Sequence, residues 1–264
     1  MKEKLPLAAF TLLAQAGLGL AVVAALLGLG GARPEVVNLV SMGLTVLSLL
    51  AAFGHLGQPL GAHRTLRNLG RSWLSRECVL LGAFLALGGL RLWVGTGAGF
   101  LPWASALLGG AGLYSMAAVY GRTAMPAWKG WHVHLSFHTA AGALGAMLLA
   151  ALGAGRSGIT PALGLAGGMV LAQLVGWAAH LAGKGAGAGA GRGGLGLLAG
   201  GLALTAAGGL ALPALAAGGT LVPALAVLAV GQAMVRYAFY ASGVHAMEVG
   251  WNDIPYANTP RDRG

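Results

Sequence analysis

The chain has 264 residues, of which 57% are hydrophobic and only 8% charged, with a formal net charge of +10. About a quarter of the residues in a soluble domain are ordinarily charged, so this composition cannot dress an aqueous surface and excludes a soluble globular fold. The basic residues lie between long apolar runs, not clustered on one face, which excludes a nucleic-acid footprint and leaves membrane orientation, acidic lipid or an acidic partner as their uses.

Taken in chain order, eight apolar runs approach the roughly 20 residues that a helix needs to cross a bilayer. They are Leu5–Leu29, Val36–Gly54, Cys78–Val94, Leu101–Tyr120, Leu135–Leu152, Thr160–Leu181, Leu195–Leu215 and Leu221–Met247. The expected fold is an all-α integral membrane protein, a bundle of about eight transmembrane helices. It forms a single membrane-anchor domain over residues 1–264, divisible into halves 1–155 and 156–264. The first run follows Lys2 and Lys4 as a signal peptide would. It is longer than an ordinary export segment and lacks a clean Ala-x-Ala exit, so an uncleaved anchor is expected. The 48 glycines suit closely packed membrane helices. Gly183–Gly194, a Gly-Ala alternation broken by Lys184 and Arg192, reads as a flexible linker between the halves. There is no convincing internal repeat, which gives an inverted-repeat transporter no support. Cys78 is the single cysteine and cannot alone build a disulfide, an iron–sulfur cluster or a zinc site; it reads as a small buried hydrophobe.

With eight spans, the N-terminus, the connections after spans 2, 4 and 6, and the C-terminus share one side. That side holds Lys2, Lys4, Arg64, Arg67, Arg71, Arg76, Arg122, Lys129, Lys184, Arg192, Arg261 and Arg263, against Arg33, Arg91 and Arg156 on the other. The excess predicts that the rich side is cytoplasmic. All seven histidines (His55, His63, His132, His134, His138, His180 and His245) fall at the rich face. A transmembrane haem ladder needs axial histidines at both levels, so none is expected, whereas one haem at the rich face stays open. Interfacial histidines also serve simply as helix anchors, and Glu77, at the mouth of span 3, could equally pair with Arg76 or Arg71.

Arg236 stands out. It lies nine residues before His245, roughly 14 Å deeper along span 8 at the helical rise. A charge at that depth costs several kcal/mol unless paired or hydrated, and by default marks function. Tyr240 is four residues on and shares its face. A structural pairing of Arg236, for instance with Gln173 or a backbone carbonyl, is the alternative. Quinol oxidation would use such a set: a base beside a carboxylate takes protons, and an arginine holds the ring oxygen and stabilises developing negative charge. Trp73, Tyr120, Trp128 and Trp131 would flank the ring or mark the interface.

The segment His55-Leu56-Gly57-Gln58-Pro59, followed by Leu66-Arg67-Asn68-Leu69-Gly70-Arg71-Ser72 and Leu74-Ser75-Arg76-Glu77, resembles the loop after the second span in the membrane-anchor subunit of dimethyl sulfoxide reductases. Weaker matches are Val119-Tyr120 with Pro126-x-Trp128, and Arg236-x-x-Phe239-Tyr240. The resemblance implies an eight-helix anchor in a bacterial or archaeal cytoplasmic membrane, which oxidises menaquinol and itself holds no haem, iron–sulfur cluster or metal. Electrons would pass to an iron–sulfur electron-transfer subunit and on to a molybdopterin catalytic subunit. Carried over by position, His55 and Glu77 are quinol-site residues that take protons. Arg64 and Arg236 would position the quinol with Tyr240, and Arg67, Arg71 and Arg76 would dock the iron–sulfur partner. The family commonly has an arginine where this chain has Gly61, with Arg64 following three residues later. Better-known relatives are thought to have outward-facing termini, opposite to the charge count. A polysulfide-reductase type of anchor, also eight-helical and haem-free, is the neighbouring reading. A transporter or proton channel with Arg236 and the histidines as its relay is the reading from another class.

Overall fold

The computed structural model describes residues 4–29, 32–54, 68–96, 99–122, 128, 130–153, 159–184, 192–210 and 221–252, of which 159, 183–184, 192–194 and 242–252 as backbone only. Among them the fold is all helical: α1 (Lys4–Leu27), α2 (Pro34–Phe53), α3 (Trp73–Val94), α4 (Leu101–Gly121), α5 (Trp131–Leu152), α6 (Ile159–Lys184), α7 (Arg192–Leu210) and α8 (Leu221–Asn252). The expected all-α membrane bundle is what the chain forms. Six helices, α1, α2, α3, α5, α6 and α8, are long and apolar enough to cross a membrane by length and composition alone. The glycine-rich α7 contributes a shorter apolar stretch, Leu195–Leu210. It lies along α8, while α4 packs on α1 and α3.

Two helix starts fall four or five residues earlier than the apolar runs suggested. Helix α3 begins at Trp73 because the Ser72 hydroxyl accepts the Ser75 N–H at 3.3 Å, a side-chain cap that supplies a partner to a first-turn donor. Arg76 and Glu77 therefore sit inside the helix rather than before it. Helix α5 begins at Trp131, after Gly130 at φ +135°, so His132 and His134 are helical as well.

Helix α1 is the hub. It packs against α2, α4, α5 and α8, and its side chains join both apolar cores. One core, at the basic end, gathers Phe10, Phe84, Met116, Phe137, Val235 and Phe239. The other, at the opposite end, gathers Leu20, Val23, Leu144, Met147 and Leu228. Lipid tails are as apolar as leucine, so close van der Waals approach must do much of the holding together. The α1–α5 crossing shows how: a Cβ on Gly19 would fall on the Ala141 carbonyl, and one on Gly145 on the Gly19 backbone. We expect Gly19→Val to cost about 1–3 kcal/mol through overpacking. Its thermal unfolding in detergent should shift downward, while Gly43→Val, where a Cβ meets nothing within 4 Å, leaves it unchanged.

Candidate functional site

The chemistry-bearing side chains converge at the basic end of the bundle, where α1 and α8 run antiparallel. Two residues on α8, Arg236 and Tyr240, are spaced one turn apart and meet two on α1, Gln15 and Thr11, with the same spacing. Arg236 Nη2 donates to Gln15 Oε1 at 3.1 Å, and the Tyr240 hydroxyl donates to Thr11 Oγ1 at 3.3 Å. All four are buried, Arg236 and Tyr240 with 1% of their surface exposed. The i, i+4 spacing read from the sequence thus becomes a two-rung polar ladder.

Arg236 is incompletely satisfied. Its guanidinium lies 3.7 Å from the Phe137 ring centroid and 5.8 Å from that of Phe239. Cation–π contact of this kind contributes about 2 kcal/mol when desolvated, well short of what a buried charge requires. Its Nε and Nη1, and the Gln15 Nε2, are buried with no hydrogen-bond partner among the described residues. Three donors therefore gather at one place and lack acceptors. A ligand oxygen would supply them.

Aromatic rings wall this place. Tyr120, at the end of α4, lies 5.2 Å from Tyr240, 5.6 Å from Trp128 and 5.6 Å from Phe137 between centroids. Trp128 stacks on Phe239 at 5.4 Å and donates Nε1–H to the Phe239 carbonyl at 2.9 Å. Of the four aromatics picked out from the sequence, Tyr120 and Trp128 belong to this box. Trp73 lies apart, under the Arg76 and Arg122 guanidinium groups at 4.3 and 4.6 Å, and Trp131 is largely exposed.

Glu77, the fifth residue of α3, lies at the same end, with 2% of its surface exposed. Its Oε1 has no partner among the described residues, and the carboxyl is near enough to Tyr120 and Tyr240 to act on both electrostatically. Pairing with Arg76 is not what happens. Arg76 donates from Nε to the Leu69 carbonyl at 2.9 Å and from Nη2 to Gly70 at 2.7 Å, tying the loop to the helix start. Arg71 is exposed. His55, Arg64 and Arg67 lie outside the described residues. So does the side chain of His245.

Gln173, weighed as a partner for Arg236, instead exchanges two amide hydrogen bonds with Gln232 at 3.1 and 2.7 Å, joining α6 to α8. This pair is complete in itself and reads as structural. We expect Gln173→Leu to leave Gln232 unpaired and cost about 1–2 kcal/mol. The double variant Gln173→Leu/Gln232→Leu should recover most of that loss in a thermal melt.

Sequence reasoning singled out Arg236, Tyr240 and Glu77 and passed over Thr11, Gln15 and Phe137, which the fold places against Arg236 and Tyr240. Gln15 did leave a signal, being an amide in a first span that is apolar apart from Thr11, where hydrogen bonding to another helix is the expected use. Among the described residues no group of three or more His, Cys, Asp or Glu could hold a metal ion.

Comparison with known proteins bears on this arrangement through its first five helices. The model of the DMSO reductase anchor subunit family matches residues 1–160. The chain belongs to this family. It is a multi-pass protein of the cytoplasmic membrane, as the resemblance implied. An Escherichia coli (strain K12) relative, anaerobic dimethyl sulfoxide reductase chain YnfH, is 30% identical over 161 residues. That region is 56% of this chain and 56% of the relative, so the chain spans about half the length of the curated relative it matches. The anchor-family match takes in Thr11, Gln15, Glu77, Tyr120 and Phe137, and stops short of Arg236 and Tyr240.

Proposed function

We propose that this chain is the haem-free, quinol-oxidising membrane anchor of an anaerobic molybdoenzyme reductase, passing electrons from menaquinol to an iron–sulfur subunit. The observation that carries the proposal is the trio of orphaned donors, Arg236 Nε and Nη1 with Gln15 Nε2, walled by aromatic rings in a chain of the anchor family. A quinol ring is flat, apolar on its faces and carries an oxygen at each end. Aromatic walls suit the faces, and convergent donors suit an oxygen.

Oxidation of the quinol releases two electrons and two protons. As the hydroxyl protons are lost, negative charge develops on the ring oxygens, and Arg236 would stabilise it in a site sheltered from water. Glu77 takes a proton as general base, assisted in our reading by His55 from the preceding loop. Tyr240 and Tyr120, in edge contact with each other, form one wall of the site and limit the positions the ring can adopt. The electrons leave for the iron–sulfur subunit, docked on the basic face through Arg67, Arg71 and Arg76, and go on to the molybdopterin catalytic subunit. The order of the polar side chains, from Glu77 at the mouth to Arg236 about a helical turn below Tyr240, gives the released protons the shorter way back to that face.

Co-purification with the iron–sulfur subunit tests the assignment. A tagged chain should bring down a cysteine-rich cluster protein, whereas a transporter would purify alone. Within the complex, His55→Ala should abolish quinol-driven reduction while leaving assembly intact. Normal turnover in that variant would remove His55 from the site.

A further inference from the structure

A second polar site lies at the opposite end of the bundle, far from Arg236. A cavity of about 190 Å³ opens between α1, α2, α3 and α4, lined chiefly by apolar side chains together with Asn38, Ser41, Arg91 and Thr96. These four are 2%, 1%, 7% and 4% exposed. The Ser41 hydroxyl has no hydrogen-bond partner among the described residues although it borders the cavity. Its volume is well above what a single water needs.

The site is built to favour negative charge. Arg91 donates from Nε and Nη2 to the Thr96 carbonyl at 3.3 and 2.9 Å, and from Nη1 to Ser105 Oγ at 3.2 Å. All three bonds go to neutral acceptors, so two of its five N–H groups stay uncommitted. The Thr96 hydroxyl donates to Glu35 Oε1 at 3.1 Å, which holds that exposed carboxylate at the rim. Arg33, exposed at the start of α2, is the second cation there. Pro34 of α2 and Pro102 of α4 line the cavity in the first turns of their helices, whose positive dipole ends add to the same sign. Neighbouring surface is apolar and faces outward, with Trp93 85% and Leu107 75% exposed, and Trp103 stands at the cavity rim. Tryptophans in this setting mark the level of lipid headgroups.

We propose that this cavity binds the phosphodiester of a membrane phospholipid. Arg91 and Ser41 hold the phosphate oxygens, and the acyl chains lie along the exposed apolar flanks of α3 and α4. Basic pockets between membrane helices take lipid headgroups on this chemistry.

Native mass spectrometry of the full chain, released from detergent after incubation with defined lipid, tests the proposal. One phosphatidylglycerol should stay bound per chain, while diacylglycerol, which lacks the phosphate, should not. Ser41→Ala and Arg91→Gln should each lower retention about tenfold, the loss expected for one hydrogen bond to a charged group. Ser41→Ala removes only an unpartnered hydroxyl, so it decides the matter even where Arg91→Gln does not fold. Equal retention of diacylglycerol, or unchanged retention in Ser41→Ala, overturns the proposal. So does complete displacement by millimolar inorganic phosphate, which would make a soluble oxyanion the ligand.

Discussion

Replacing Arg236 by methionine is expected to lower quinol-driven turnover by about a hundredfold or more and to leave the folded protein at least as stable as before. The two halves of this result come from one fact. Arg236 is almost wholly buried, its single described acceptor is the Gln15 carbonyl oxygen, and two of its nitrogens have no partner. Loss of a preorganised donor aimed at developing charge typically costs about 10²–10³ in rate. Yet a buried charge without a full set of partners does not hold a fold together, and well-packed apolar replacements of such groups are often neutral or stabilising by about 1–4 kcal/mol. A residue whose purpose was structural would show the reverse: activity kept in the remaining folded protein, with a lower melting temperature. Arg236→Lys separates charge from geometry. It keeps the cation but loses the planar fork, so it should recover only part of the rate. Initial rates with a reduced menaquinol analogue, beside a thermal melt of the same preparation, measure both halves.

Glu77→Gln is expected to lower quinol-driven turnover by about 10²–10⁴-fold, the contribution of a positioned general base. The amide keeps the shape of the side chain and its place near the start of α3, but accepts no proton. Stability should not fall, because Arg76 binds the Leu69 and Gly70 carbonyls and the described structure shows no ion pair at Glu77 to break. Glu77→Asp keeps the acid but withdraws it by one methylene, and should sit between the two. An activity loss that tracked loss of folded protein would instead make Glu77 a packing residue. The comparison therefore needs rate per folded complex, not rate per cell.

Much of this molecule was legible before its coordinates. Each apolar run became a helix, because a stretch with almost no charge has few other ways to satisfy its backbone in a bilayer. The starts of α3 and α5 were not legible, since apolarity ends where the polar cap begins: Ser72 and Gly130 extend those helices over Arg76, Glu77, His132 and His134. Arg236 was visible because a charge within an apolar run is conspicuous. Its company was not. Gln15 is 221 residues away and Phe137 lies on a third helix, so only the packing of α1 and α5 against α8 brings them to the guanidinium. The same holds for Gln173, which looked available to Arg236 by position but is taken by Gln232. Arg91 is the mirror case. Counted as one of three cations on the poorer face, it is in fact buried, at the wall of a cavity with Ser41 and Asn38.

The most direct test of the central claim, that quinol gives up its electrons at Arg236 and Glu77, uses one preparation and two donors. In the proposed complex a reduced viologen dye would feed electrons to the iron–sulfur and molybdopterin subunits without the anchor, whereas electrons from a menaquinol analogue would have to pass through it. In purified complex carrying Arg236→Met, dye-driven reduction should match that of the unaltered complex while menaquinol-driven reduction falls about a hundredfold or more. Menaquinol-driven reduction at the unaltered rate in that same preparation would contradict the account.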